Sequence, residues 1–180
     1  MNGISLATFG RRISAVWGPL SSDLVASCRG ALSELMRASP DEPWLADLLE
    51  RRPPNQELHR DPEAGFVLLA HAEQACLYRP PHDHGRAWVI YAVQHGEIEM
   101  RTFGRPPRGE AAELVQRDSA VLRAGDVQAY LPGDIHDTRC LSETALLYRF
   151  TERDLKVEDQ VERRVTRYAA PLGGWTAAGR

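Results

Sequence analysis

A chain of 180 residues with 43% hydrophobic and 26% charged side chains fits one domain with room for a full apolar core. Its formal net charge is −3 and no Lys/Arg cluster could neutralise several phosphates, which argues against nucleic acid or an acidic membrane surface as partner. The cysteines Cys28, Cys76 and Cys140 form no CxxC pair, and no apolar run approaches the ~20 residues of a membrane span, so a cytoplasmic location is expected.

The N-terminal segment MNGISLATFGRR has no apolar stretch long enough for a signal peptide. The first sixty residues read as a helical leader. Ser21 or Ser22 can cap a helix whose apolar face carries Leu24, Cys28, Leu32, Leu35 and Met36 at steps of three and four residues. Ser39-Pro40-Asp41-Glu42 predicts a second start, with Ser39 as N-cap and Pro40 at the first helical position. That helix carries Trp44, Leu45, Leu48 and Leu49 and must stop before Pro53-Pro54, where two amide donors are missing.

From Gly65 onward the pattern changes to short strands, at 65–72, 74–79, 87–94, 97–103, 113–117, 119–123, 126–131 and 144–151. His95-Gly96 fits a tight turn between two of them, and Gly125-Asp126 and Pro132-Gly133 are turn dipeptides. Strands this short and this closely spaced predict a sandwich or barrel over 61–168, an all-β core without crossover helices. The stretch 104–112 reads as a loop, 161–168 as a candidate further strand, and 169–180 as a loose tail.

The chemistry lies in the histidines. His82 and His84 flank Asp83, and residues i and i+2 of an extended segment project from one face, giving a two-point metal clamp stiffened by Pro80-Pro81. His136 follows the turns at Gly125-Asp126 and Pro132-Gly133-Asp134 and can return to the same place as a third ligand. His59, His71 and His95 lack ligand spacing and read as ordinary polar or packed side chains. Asp83 and Asp137 should point away from the ligands beside them.

HxH before a turn glycine at Gly96, followed by Gly125, Gly133 and His136, resembles the two sequence motifs of the cupin superfamily over residues 79–140. The resemblance implies a double-stranded β-helix (jelly roll) with the metal on His82, His84 and His136. The superfamily's first motif usually adds a Glu four or five residues after the second His; those positions are Trp88 and Val89 here. A neutral, three-histidine site follows; imidazole suits Fe, Ni, Cu and Zn alike, so ligand type alone does not select the metal, and Zn, Ni or Mn stand as alternatives to Fe(II). Cupins of that kind resemble the cysteine dioxygenase (thiol dioxygenase) family, whose ion is Fe(II) and whose reaction adds O₂ to a thiol. The PxHDHG sequence and the size of the helical leader agree, and Arg60 stands about where the family's carboxylate-binding arginine does.

The chain departs from that family in its Ser-His-Tyr relay, whose His and Tyr positions fall on Tyr148 and Phe150. The crosslinking cysteine of some members corresponds to Val89, and an asparagine four residues after the third ligand to Cys140. Tyr148 is left as the candidate catalytic hydroxyl. Arg60, Arg86 and Trp88 are candidate substrate contacts, the last two if strand alternation survives Gly85, since a kink there would reverse them. The expected function is an Fe(II) oxygenase acting on O₂ and a small acid that can bear a thiol. The alternatives are a non-redox metal-dependent isomerase or lyase and a ligand-binding sensor. A homodimer is compatible with the sequence.

Overall fold

Helix formation follows the local signals closely at the start of the chain. In the computed structural model, which describes residues 4–105 and 114–169, α1 (Ile4–Val16) is followed by α2 (Ser22–Leu35) and α3 (Pro43–Arg51). Ser21 caps α2 by accepting a hydrogen bond from the Leu24 amide at 3.2 Å. The start expected at Ser39 is instead a turn, in which the Ser39 hydroxyl accepts from the Asp41 amide at 3.3 Å and the helix waits for Pro43. A proline at the first helical position loses no helical hydrogen bond, so Pro43 competes successfully with Pro40. Arg52, left-handed at φ 45°, ends α3 before the proline pair.

Nine strands follow: β1 (Gln56–Arg60), β2 (Val67–Gln74), β3 (Tyr78–His82), β4 (Val89–His95), β5 (Glu97–Gly104), β6 (Val115–Arg123), β7 (Val127–Tyr130), β8 (Ile135–Cys140) and β9 (Thr144–Thr151). They form two antiparallel sheets, ordered β1-β2-β9-β4-β7 and β3-β8-β5-β6. From β2 to β9 the chain alternates between the sheets except at the β5–β6 hairpin, which stays in one, and this is the double-stranded β-helix.

Three departures from the sequence reading have local causes. β1 lies inside the segment read as helical and adds an edge strand. The strands expected at 113–117 and 119–123 are one, β6, whose apparent break is a bulge where Arg117 is skipped between the pairs Thr102–Asp118 and Phe103–Gln116. Residues 161–168 do not form a strand. A π-helical turn at Val157–Val161 precedes an extended strap that touches β3 through a single bridge, Arg167 to His82. The loop from 106 and the tail from 170 lie outside the described residues.

Two cores result. One lies between the helices and the five-stranded sheet and includes Phe9, Ile13, Leu32, Leu48, Phe66, Trp88, Tyr148 and Phe150. The other fills the space between the sheets with Val89, Tyr91, Val93, Ile98, Met100 and Leu147. Alternation along β4 and β9 therefore deals successive residues to opposite cores. No helix among the described residues is long and apolar enough to cross a membrane.

Candidate metal centre

His82 ends β3, and its register partner on β8 is His136. Two residues on from His82, His84 completes a cluster in which one nitrogen from each ring lies within 4.8 Å of the others. Neighbouring ring centroids are 4.8, 4.9 and 5.2 Å apart. The cluster contains no carboxylate.

Both intervening acids face away and act as anchors. Asp83 accepts hydrogen bonds from the Gly85 and Thr166 amides at 3.1 and 2.9 Å and pairs with Arg105. Asp137, completely buried, pairs with Arg101 and accepts from the Tyr78 hydroxyl at 2.9 Å. Each anchor fixes the backbone on which a histidine stands.

The imidazoles are prepared as neutral donors. Burial, above all, lowers the pKa of His82, His84 and His136, and the charge of Arg149 lowers all of them further. Metal ligation needs neutral imidazole, so the ring nitrogens are already in the ligating form. His82 Nδ1 donates to the Pro80 carbonyl at 2.8 Å, which leaves its Nε2 for a metal. The Tyr91 hydroxyl lies 3.4 Å from His84 Nε2. His136 is stacked on Tyr130 at 4.1 Å, is fully buried, and has no hydrogen-bond partner at either nitrogen. Burying such a group unpaired costs on the order of 1–3 kcal/mol. A divalent ion shared with His82 and His84 would satisfy one of these two nitrogens, so the residues present fit a metal.

The cluster borders a cavity of about 550 Å³. His71, Glu73, Tyr91, Leu147 and Arg149 form one wall, and the strap closes the other with Arg167 and Tyr168. Glu73, almost fully buried, pairs with Arg79 at 2.7 Å.

Of the sequence-derived site residues, the structure brings together His82, His84 and His136 and places the rest elsewhere. Tyr148 and Phe150 share the helix side of β9; Tyr148 packs 6.2 Å from Trp44, and the residue lining the cavity is Arg149. Trp88 is likewise in the helix-side core, stacked near Trp17 and Phe150. Gly85 adopts φ +64°, and this kink reverses the alternation on which the Arg86 and Trp88 contacts depended. Arg86 instead pairs with Glu162 at 2.6 Å, half exposed. Arg60 is a surface residue held by Glu57 and Asp154 at 2.7 and 2.9 Å. Cys140 is buried, as expected of a small apolar side chain.

Sequence reasoning missed His71, Glu73 and Arg149. A usable signal existed for the last: a lone arginine in the apolar run of β9 is either on an exposed face or kept for a function.

A jelly roll with ligands from the end of one strand and from its sheet neighbour has the cupin architecture. Solved structures with similarity to this chain include KdgF from Halomonas sp., an oxalate oxidase, and the cupin domain of Schizosaccharomyces pombe Cnp3. KdgF is 15% identical at a TM-score of 0.44, covering 54% of this chain and 74% of its own. The oxalate oxidase is 23% identical at 0.41, covering 49% of this chain, which spans only 42% of the oxidase. The Cnp3 domain is 13% identical at 0.44, covering 60% and 69%. No protein-family model matches the sequence, and no curated protein does.

Proposed function

We propose that this chain is a mononuclear metal-dependent oxygenase, holding Fe(II) on His82, His84 and His136 and acting on a small organic acid, a thiol-bearing one included. The observation that carries this reading is the convergence of three neutral imidazoles, His84 and His136 buried and His82 partly so, with His136 lacking any partner, on the edge of a cavity of substrate size. Held by His82, His84 and His136, a ferrous ion would supply the redox chemistry that O₂ requires.

The remaining steps belong to the protein. Basic side chains on the cavity wall, Arg79, Arg149, Lys156 and Arg167, outnumber the acids Glu73 and Asp159, so an anionic substrate is favoured. Leu147 and Leu155 provide the apolar lining that excludes water. The Tyr91 hydroxyl, beside His84 and within reach of Arg149, holds a proton at the place where the sequence alone suggested Tyr148 would. Its pKa is raised chiefly by burial, so it stays protonated and acts as a hydrogen-bond donor.

A non-redox reading is favoured by one feature, the buried Glu73 carboxylate in the same cavity, which could move a proton without oxygen. Protein reconstituted anaerobically with Fe(II) and assayed in an oxygen electrode with short mercapto-acids, hydroxy acids and aromatic acids separates the two. Uptake dependent on iron and substrate is expected. No uptake with any of them, together with anaerobic turnover on Zn, Ni or Mn, would replace the oxygenase by an isomerase or lyase.

A further inference from the structure

Two unpartnered nitrogens occupy the same cavity wall. His71 on β2 and Arg149 on β9 lie on the cavity side of neighbouring strands, with His71 opposite Leu147 and Leu69 opposite Arg149. They are thus diagonal neighbours, with Cα atoms about 7–8 Å apart in a regular antiparallel pair. His71 Nε2 and Arg149 Nε are both buried and neither has a hydrogen-bond partner. Most buried polar atoms in folded proteins are paired, so two orphans on one wall ask for a ligand that pairs both.

Their chemistry is opposite. Arg149 Nε can only donate. His71 Nδ1 lies 3.2 Å from the Pro54 carbonyl, which can only accept, so Nδ1 carries the proton and Nε2 is an acceptor. A ligand that satisfies both presents an anionic acceptor and, a few ångströms away, a donor. A substrate ammonium would meet Arg79, Arg149 and Lys156 in the same cavity, and the like charges disfavour it. A neutral hydroxyl does not meet that repulsion.

We propose that His71 and Arg149 form a two-point clamp for a small 2-hydroxy acid, with the carboxylate on Arg149 and the hydroxyl donating to His71 Nε2. The proposal deepens the oxygenase reading by naming the substrate class, and it rests on that reading only in taking this cavity as the substrate site.

Titration calorimetry of the full-length protein with L- and D-lactate, propionate and lactamide tests it. Propionate lacks the donor and is expected to bind about 3–10-fold more weakly than the better lactate enantiomer. Lactamide lacks the charge and is expected to lose about 10–100-fold. Arg149→Met should bring lactate down to the level of lactamide, with Arg149→Lys recovering part of the loss. His71→Leu should bring lactate to the level of propionate and leave propionate unchanged. If His71→Leu fails to fold, the lactate–propionate comparison in the wild type decides. Equal binding of lactate and propionate, as a bridging water between the two residues would produce, overturns the clamp. So does the absence of binding by all probes, or wild-type lactate affinity in Arg149→Met. Lactate binding intact without O₂ uptake would instead remove the oxygenase reading and leave the clamp standing.

Discussion

Removing the Asp137 carboxylate should damage the fold and the metal site together. Asp137 has no exposed surface, and the Arg101 guanidinium opposite it in the β5–β8 register is only 8% exposed. Arg101 Nε reaches both carboxylate oxygens at 3.1 Å, and the Tyr78 hydroxyl donates at 2.9 Å. Asp137→Ala removes one member of a buried ion pair, which costs about 3–5 kcal/mol. For a chain of this length each kcal/mol lowers Tm by about 2–4 °C, so a fall of about 6–20 °C is expected. Asp137→Leu combined with Arg101→Met removes both charges and should recover most of the loss, because the penalty comes from removing only one member of the pair. Urea unfolding of the four metal-free proteins in this cycle (wild type, Asp137→Leu, Arg101→Met and the double variant), with Asp137→Ala alongside, gives the coupling directly. The metal-loaded Asp137→Ala protein should also bind its ion about 10–100-fold more weakly, since the backbone next to His136 is no longer fixed. Strictly additive single and double variants, or a loss under about 1 kcal/mol, would refute the reasoning.

Gly96→Ala should destabilise more than Gly125→Ala. Both positions have φ in the left-handed region, at +81° and +93°, but a Cβ at Gly96 would meet the Thr144 carbonyl oxygen at 2.4 Å, whereas one at Gly125 meets nothing within 4 Å. Gly125→Ala should show only the conformational cost of about 1–2 kcal/mol, and equal losses in thermal melts would deny the clash. The pH dependence of stability should carry the mark of His71, whose pKa burial pushes down to about 3. Between that value and about 6.5 the unfolded chain binds the extra proton, so stability falls as pH drops, by up to about 1.4 kcal/mol per unit from this group. His71→Gln should flatten the slope of the metal-free protein between about pH 6 and 4, and an unchanged slope would count against the buried neutral ring. Arg60→Ala should change stability by less than about 1 kcal/mol and leave the affinity for a carboxylate ligand unaltered, because its ion pairs are half exposed. A large loss of carboxylate binding would return Arg60 to the site.

Most of the fold was readable because its signals are local. Ser21 before an apolar period of three and four, and glycines at the turns of alternating strands, each act within a few residues. The histidine cluster was readable for the same reason, with His82 and His84 two apart and His136 behind a turn. β8 was harder: Ile-His-Asp-Thr-Arg-Cys looks polar because Asp137 and Arg101 pair in the interior, a compensation made by β5 and invisible along the chain. The cavity wall was harder still. Strand periodicity shows that Tyr148 and Phe150 share a side and Arg149 takes the other, but not which side meets the helices. α1 to α3 cover one face of the five-stranded sheet with apolar side chains, so Tyr148, Phe150 and Trp88 serve that packing, and the cavity receives Arg149 and His71. One long-range fact, the placement of the helices, reversed both assignments.

The central claim is that His82, His84 and His136 together hold one metal ion. Elemental analysis of protein purified without added metal, and again after anaerobic loading with Fe(II), tests it most directly when run on the wild type and on His82→Ala, His84→Ala and His136→Ala. Wild type is expected to carry a stoichiometric ion, and each variant to lose it while circular dichroism still reports a folded β protein, since the apolar core between the helices and the five-stranded sheet contains none of the three histidines. A full complement of metal in all three variants, or none in wild type after Fe(II) loading, would contradict the account.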